Sequence, residues 1–189
     1  PYPVRESCVT KDYKFTDKAH PQEFVVNVTV YSGANPSEKS ILLMPPTGGT
    51  NMIDRSHART FCKAGFDVYI LNSWTGDDEA QIDYGIHQRL YMRMLKAVEY
   101  TLTHIHSPFV GMFGTSLGAI FTAVAINHFD RIDAAFAVVG GAPIPELIVT
   151  SDQVAMINLK KQRREKLAPQ TDSEMIAEIY RNFTLDPFK

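Results

Sequence analysis

The sequence predicts an α/β fold, a mostly parallel sheet with helices on both faces. From Ser40 onward, patterns typical of strands and helices alternate, and the last of them is a strand over residues 132–139. Residues 40–44 form a short, almost wholly apolar strand pattern, as expected for a strand buried on both faces of a parallel sheet. Right-handed crossovers in such an alternation place helices on both sides of the sheet.

Two further strands are predicted before this alternation. Residues 23–31 are rich in β-branched side chains and partly alternate between apolar and polar positions. Residues 9–15 are the expected hairpin partner of that strand. The sheet is therefore expected to begin with a hairpin.

The alternating part contains the longest predicted helix. A helix over residues 52–64 ends at Gly65, in the position after the C-cap, and a strand over residues 66–71 follows. The next helix is predicted over residues 83–103, because an apolar side chain recurs at every fourth position. These apolar residues are Ile82, Ile86, Leu90, Met94, Val98 and Leu102.

The C-terminal part differs from the rest because no strand is predicted in it. A helix is expected over residues 151–167. Thr171 and Glu174 have the spacing of a capping box, which opens a second helix. We therefore expect a core over residues 1–145 and a helical segment over residues 146–189.

Composition bounds the function classes. With 189 residues and 44% hydrophobic residues, the chain can form one domain with a buried core. A formal net charge of −2 argues against a general nucleic-acid binder, and no apolar stretch reaches the ~18 residues needed to span a bilayer. Cys8 and Cys62 are expected to be free buried thiols, with one disulfide as the alternative. Two cysteines do not identify the cellular compartment, for which the cytoplasm is the favoured expectation.

The most informative motif is Gly-Thr-Ser-Leu-Gly at residues 114–118. A strand pattern over residues 108–113 leads into it, and a helix pattern over residues 119–126 follows. A serine between glycines at such a junction is typical of a nucleophile elbow, where crowding demands small residues two before and two after the serine. Gly114 and Gly118 meet that demand; the alternative is an ordinary glycine-rich turn.

The order of these motifs resembles the α/β-hydrolase family over about residues 9–145. Besides the Gly-Thr-Ser-Leu-Gly turn, the resemblance rests on Pro-Pro-Thr-Gly-Gly at residues 45–49 and on Gly-Phe-Asp-Val at residues 65–68. The segment at residues 45–49 takes the place of the family's oxyanion loop, although Pro-Pro stands where His-Gly is usual. The resemblance implies an α/β-hydrolase core over residues 1–145, with residues 146–189 as a cap or lid.

The resemblance implies an acyl-transfer site with Ser116 as the nucleophile, acting on an ester or a related thioester or amide. The oxyanion of the tetrahedral intermediate requires two fixed N–H donors. One is implied to be the backbone N–H of Leu117, and the other belongs to the loop after Met44. Proline has no N–H, so Thr47 is the first residue of that loop able to donate, and Gly48 is the second choice.

A general base for Ser116 is not evident. In this family the acid and then the histidine follow the serine. Here His128 does so, but twelve residues of helix separate the two by about 18 Å. His57 is the least remote of the others by topology and is interpreted as a packing or surface histidine. The remaining histidines are His20, His87, His104 and His106.

The catalytic acid is also unassigned. Glu146 and Asp152 follow the last predicted strand, but we interpret them as a loop carboxylate and a residue near a helix N-cap. Asp77 and Asp78 are interpreted as solvated loop charges. We therefore expect the acid and the histidine, with the last strands of the sheet, in residues beyond Lys189.

Such a fragment would leave one edge of its sheet open, which favours pairing with another chain. We expect a small-molecule acyl substrate and a companion chain or homo-oligomer that completes the sheet. We expect no cofactor and no metal, because neither metal-ligand spacing nor a phosphate-binding glycine pattern is present. Trp74 is a candidate for the border of an apolar pocket. Candidates for its ceiling, with ordinary packing of a helix on the core as the alternative, are Val154, Met156, Ile157 and Leu159.

Two other functions are compatible with the sequence. The chain is alternatively a non-catalytic small-molecule binding protein on the same fold. A basic cluster in the first C-terminal helix is alternatively a contact for anionic lipid or an acyl carrier, although a solvated helix face is the favoured interpretation. The cluster comprises Lys160, Lys161, Arg163, Arg164 and Lys166.

Overall fold

A computed structural model describes residues 4–16, 25–72, 82–141 and 143–184 of the chain. The strands are β1 (Val9–Thr16), β2 (Val25–Ser32), β3 (Lys39–Met44), β4 (Asp67–Leu71), β5 (Phe109–Thr115) and β6 (Ala134–Val138). The helices are α1 (Met52–Lys63), α2 (Tyr84–Leu102), α3 (Leu117–His128), α4 (Ile144–Thr150), α5 (Val154–Lys166) and α6 (Asp172–Asn182).

The described strands form one sheet in the order β1-β2-β4-β3-β5-β6. β1 and β2 form an antiparallel hairpin, and β2 is also antiparallel to β4. The pairs β3–β4, β3–β5 and β5–β6 are parallel. The predicted α/β class with a mostly parallel sheet is confirmed, and the predicted strands differ from the observed ones only at their ends.

Both faces of the central strand β3 are buried. Ile41 and Leu43 pack with Ala58 of α1 in one hydrophobic cluster. Leu42 and Met44, which alternate with them and therefore point to the opposite face, are fully buried too. This is the arrangement that the continuous apolar pattern of the strand predicts.

Cys8 and Cys62 form a disulfide, so the expectation of free thiols is wrong. Cys8 immediately precedes β1, and Cys62 lies near the end of α1 with no exposed surface. The bridge therefore ties the start of the hairpin to the helix. Two cysteines can pair only if the fold brings their Cα atoms to within about 7 Å, a distance that their spacing in the sequence does not reveal.

Replacing both cysteines with alanine is expected to lower the free energy of unfolding by about 4 kcal/mol, because cross-linking a long loop restricts the unfolded chain. The bridge joins residues separated by 54 positions. Urea unfolding of the two proteins measures the difference. A double variant as stable as the wild type would contradict the expectation, as would alkylation of thiols in the unreduced protein.

The chain divides into two compact units: Pro1–Thr75 with Leu95–Gly140, and Gly76–Met94 with Gly141–Lys189. The first unit holds the sheet, α1 and α3, and the second holds the beginning of α2 with α4, α5 and α6. A cap role for the helical unit stays a prediction. No helix within the described residues combines the length and apolarity needed to cross a membrane.

The helix predicted over residues 151–167 is confirmed as α5, and a short helix that was not predicted, α4, precedes it. α4 begins after Pro143 and has Pro145 in its first turn, a position where proline is tolerated because its missing N–H has no helical acceptor. The break between α4 and α5 falls at residues 151–153. The capping box of Thr171 and Glu174 is confirmed at the start of α6.

A buried arginine organises the helical unit. Arg163 has no exposed surface, which corrects its assignment to a solvated face. Its Nε donates to the Ile82 carbonyl at 3.2 Å, and its Nη2 donates to His87 Nδ1 at 2.8 Å. The guanidinium lies 4.3 Å from the centre of the Tyr84 ring, a cation–π contact. Because a guanidinium only donates, His87 accepts through Nδ1 and is neutral.

Burial and the Arg163 charge, in that order, lower the pKa of His87 to about 3. In the unfolded chain, His87 has its ordinary pKa near 6.5. Between pH 6.5 and about pH 3, His87 therefore binds a proton in the unfolded chain but not in the folded chain. Stability therefore falls as the pH drops below about 6.5.

Acidification from about pH 6.5 to about pH 4.5 is expected to cost about 2 kcal/mol of stability through His87 alone. The His87→Asn variant retains an acceptor for Arg163 but does not titrate, so its stability should depend less on pH. Denaturant unfolding at both pH values, compared between variant and wild type, measures the difference. Identical pH dependence in the two proteins would refute the assignment.

Candidate active site

Ser116 lies in the turn that joins β5 to α3, immediately before the first residue of the helix. Its φ is 53° and its ψ is −118°, a conformation that residues with a Cβ rarely adopt. Such strain costs on the order of 1–3 kcal/mol and concentrates at functional sites. The Ser116 N–H donates to the Val138 carbonyl at 2.9 Å. Val139, the residue directly after Val138, also has a positive φ of 56°, which is unusual for a β-branched residue.

Two glycines make this turn possible, because a side chain at either position would collide with neighbouring atoms. A Cβ on Gly114 would lie 2.1 Å from the Gly118 carbonyl oxygen and 2.3 Å from Thr122 Oγ1. A Cβ on Gly118 would lie 2.2 Å from the Met44 carbonyl oxygen. The approach of α3 to the ends of β5 and β3 therefore requires both glycines.

The loop after β3 starts beside the first turn of α3. Gly118 packs against the carbonyl groups of Met44, the last residue of β3, and Pro45, the first residue of that loop. Leu117 is the first residue of α3, and its N–H is one of the amides for which a helix has no internal acceptor. The start of this loop and the first turn of α3 thus lie side by side at one end of the sheet.

At the tip of the loop, Thr47 and Gly48 are exposed. The Gly49 N–H donates to the Pro46 carbonyl at 3.1 Å, which closes a turn and removes that amide from the candidates. Gly48 has a φ of 91°, which favours glycine. The role of Thr47 as a donor, with Gly48 as the second choice, stays a prediction.

Solved structures with this arrangement of elements carry the names of hydrolases. A protein of Klebsiella pneumoniae subsp. pneumoniae described as a dienelactone hydrolase aligns over 87% of this chain and 83% of its own, with a TM-score of 0.55 and 13% identity. An acylaminoacyl peptidase of Pyrococcus horikoshii aligns over 97% of this chain and 30% of its own, with a TM-score of 0.65 and 13% identity. The chain has the α/β-hydrolase fold.

A third structure agrees with this assignment. Brefeldin A esterase, a bacterial homologue of human hormone-sensitive lipase, aligns over 96% of this chain and 52% of its own, with a TM-score of 0.55 and 16% identity. The chain thus spans about half of the esterase and less than a third of the peptidase. The sequence matches no family profile and no curated protein. At these identities the likeness establishes the α/β-hydrolase fold alone.

On this α/β-hydrolase fold, no hydrogen bond joins the Ser116 hydroxyl to a histidine among the described residues. His57 on α1 packs edge-on against the Phe113 ring at 5.1 Å, and its buried Nδ1 has no hydrogen-bond partner. This packing agrees with its interpretation from the sequence. His128 is exposed at the end of α3 and packs on Phe129.

The other histidines have separate surroundings. His87 belongs to the core of the helical unit, as described above. His104 stacks on Phe15 at 4.0 Å, and its Nδ1 lies 2.9 Å from the Tyr100 carbonyl oxygen. His106 is exposed, and His20 lies outside the described residues.

The candidate acids and pocket residues lie in different surroundings. Glu146, in the first turn of α4, accepts from the Tyr180 hydroxyl at 2.9 Å, and Asp152 is exposed. Leu159 is buried in the helical unit, whereas Val154 and Ile157 are exposed. Three further candidates lie outside the described residues: Trp74, Asp77 and Asp78. Within the described ranges, no group of three or more His, Cys, Asp or Glu side chains is placed to hold a metal ion.

Sequence reasoning missed a polar set beside the turn. Asn51 caps α1, and Asp54 completes a capping box with it. Thr115, which directly precedes Ser116, donates to Asp54 at 3.4 Å. The signal was present as Asn-x-x-Asp, a variant of the commoner Ser/Thr-x-x-Glu spacing.

Proposed function

We propose that this protein is a serine hydrolase that cleaves a carboxylic ester or a related acyl bond through an acyl-enzyme on Ser116. The observation that carries the proposal is the strained backbone of Ser116 at a strand-to-helix turn, with φ at 53° and glycines on both sides that cannot be replaced without collision. Strain of this kind is retained where function requires it. The proposal interprets this turn as a nucleophile elbow.

In this mechanism the Ser116 Oγ attacks the carbonyl carbon of the substrate, and the carbonyl oxygen becomes an oxyanion. The Leu117 N–H and an amide of the loop after β3, Thr47 or secondarily Gly48, donate hydrogen bonds to it. A base takes the Ser116 proton and passes it to the leaving alcohol as the C–O bond breaks. Water then attacks the acyl-enzyme by the same route and releases the acid.

The general base and its acid are proposed to lie in residues beyond Lys189. The support is that none of the described histidines bonds to Ser116. Three of them have other neighbours, namely His57, His87 and His104. Replacement of that histidine should abolish turnover by the full polypeptide. The names of the structural neighbours, which are dienelactone hydrolase, peptidase and esterase, support hydrolysis as the reaction class.

A fluorophosphonate probe tests the proposal directly, because it reacts with serines whose hydroxyl is activated by a base. We expect the full polypeptide to be labelled and the label to map to Ser116 by peptide mass spectrometry, with hydrolysis of a chromogenic ester. Absence of both labelling and hydrolysis would overturn the proposal and favour a binding protein on the same fold.

The open edge of the sheet supports the proposed companion chain or homo-oligomer. β6 is the last strand of the described sheet, and Phe136 at its centre is 65% exposed. The strand carries none of the charged residues that commonly protect an edge from pairing. Light scattering measures the molar mass of the purified protein, and so distinguishes a homodimer from a monomer that pairs with a different chain.

A further inference from the structure

A buried carboxylate joins the loop after β3 to the strand that leads to Ser116. Asp54 is 1% exposed, and its Oδ2 accepts from the Asn51 N–H at 2.9 Å. Its Oδ1 accepts from Thr115 Oγ1 at 3.4 Å. A buried carboxylate is costly unless hydrogen bonds satisfy it, so these contacts constrain where the end of the loop and the end of β5 lie.

The start of α1 favours the charge of Asp54. As the third residue of the helix, Asp54 lies at the positive end of the helix dipole. The Asn51 side chain accepts from the Ile53 N–H at 2.7 Å and from the Asp54 N–H at 3.2 Å. In the described part of the chain, no lysine or arginine forms an ion pair with Asp54. Neutral donors therefore hold this carboxylate, and one of them is Thr115 of β5.

A separate set of hydrogen bonds fixes the same end of the loop to the sheet. Thr50 Oγ1 donates to Asn72 Oδ1, directly after β4. Asn72 Nδ2 donates to Thr29 Oγ1 of β2 at 2.7 Å, and Thr29 donates to Asp12 of β1 at 2.6 Å. Through this chain of hydrogen bonds the loop is linked to the residue after β4 and to two strands, β2 and β1, while its tip is exposed.

We propose that Asp54 is a positioning residue that keeps the amide donors of this loop at a fixed position relative to Ser116. The inference rests on the proposed hydrolase function. Attack on a carbonyl requires the nucleophile and both amides to lie about 3 Å from the reacting atoms, and a displacement of about 1 Å costs up to about 100-fold in rate. Through Thr115 and Asn51, Asp54 contacts both of the segments that supply these groups.

Thr115 variants isolate the contact from the helix cap. Thr115→Val removes the hydroxyl and retains the shape, whereas Thr115→Ser retains the hydroxyl. We expect Thr115→Val to lower kcat for a small chromogenic ester about tenfold with KM changed less than about twofold, the pattern of an interaction that matters in the transition state. Fluorophosphonate labelling should slow by the same factor, and Thr115→Ser should restore both rates.

Asp54→Asn retains the size of the side chain and removes its charge. We expect kcat to fall about 30-fold, since both contacts are weakened. The matched control is Glu174→Gln in the second capping box of the chain, where Glu174 accepts from the Thr171 N–H at 2.8 Å on an exposed helix end. It should leave kcat and labelling unchanged.

The outcomes separate the two proposals. If Thr115→Val and Asp54→Asn fold normally by circular dichroism and react at the wild-type rate, the positioning role is overturned. A loss in Thr115→Val that Thr115→Ser does not restore also overturns it, because packing is then the cause. If Asp54→Asn fails to fold, the Thr115 pair decides. Failure of the hydrolase function appears differently, as a wild type that neither labels nor hydrolyses.

Discussion

Ser116→Ala is expected to reduce ester hydrolysis about 10⁴-fold or more and to abolish fluorophosphonate labelling, because no other group at the turn replaces the nucleophile. Circular dichroism should be unchanged, since the turn is built by the glycines and by the backbone bond to Val138. Ser56→Ala, on the exposed surface of α1, is the control and should retain full activity. A Ser116→Ala protein with wild-type hydrolysis would end the assignment.

Ser116→Gly extends the same experiment to stability. It should be as inactive as Ser116→Ala but about 1 kcal/mol more stable than that variant, because glycine adopts a φ of 53° without the strain that a Cβ imposes. Urea unfolding measures the difference. A glycine variant less stable than the alanine variant would mean that the turn holds no strain.

Gly118→Ala is expected to lower the free energy of unfolding by about 3 kcal/mol and to abolish activity. The added Cβ would meet the Met44 carbonyl oxygen at 2.2 Å, and a backbone atom can retreat only if α3 moves away from β3. That movement would also displace the Leu117 amide. Thermal unfolding and ester hydrolysis measure the two effects.

Gly85→Ala is the matched control for this substitution. Gly85 lies in the first turn of α2, where an added Cβ would be 3.4 Å from the nearest atom, Asp83 Oδ1. Alanine is favoured over glycine in helices by up to about 1 kcal/mol, so stability should be equal or higher. A Gly118→Ala protein as stable as Gly85→Ala would contradict the crowding around the turn.

Elements whose pattern is local were predictable. Three patterns depend on a few neighbouring residues only: the apolar run of β3, the apolar side chain at every fourth position of α2, and the capping box at Thr171. Each predicted element appears where it was expected. The glycine spacing around Ser116 is partly local, because the crowding at Gly114 arises from Gly118 and Thr122, whereas the crowding at Gly118 comes from Met44 of β3. The donors Thr47 and Leu117 were implied by the family resemblance, together with the absence of N–H groups in two prolines, and they stay a prediction.

Features that depend on distant partners were not predictable. Arg163 belongs to a run of basic residues that suggests a solvated face, yet Tyr84 and His87, on another helix, surround it. The disulfide depends on the distance between a residue before β1 and the end of α1. Asp54 acquires its contact with β5 because sheet order places that strand beside β3.

By itself, the sequence determined the α/β class, the succession of strands and helices as far as β6, and the position of a tight serine turn, since short-range periodicity and steric limits on the backbone decide all three. The tertiary structure decided which cysteines pair, which arginine is buried and which carboxylate bridges the loop to the turn. These depend on contacts between residues far apart in the chain, and the free energy of such contacts is defined only once the sheet has assembled.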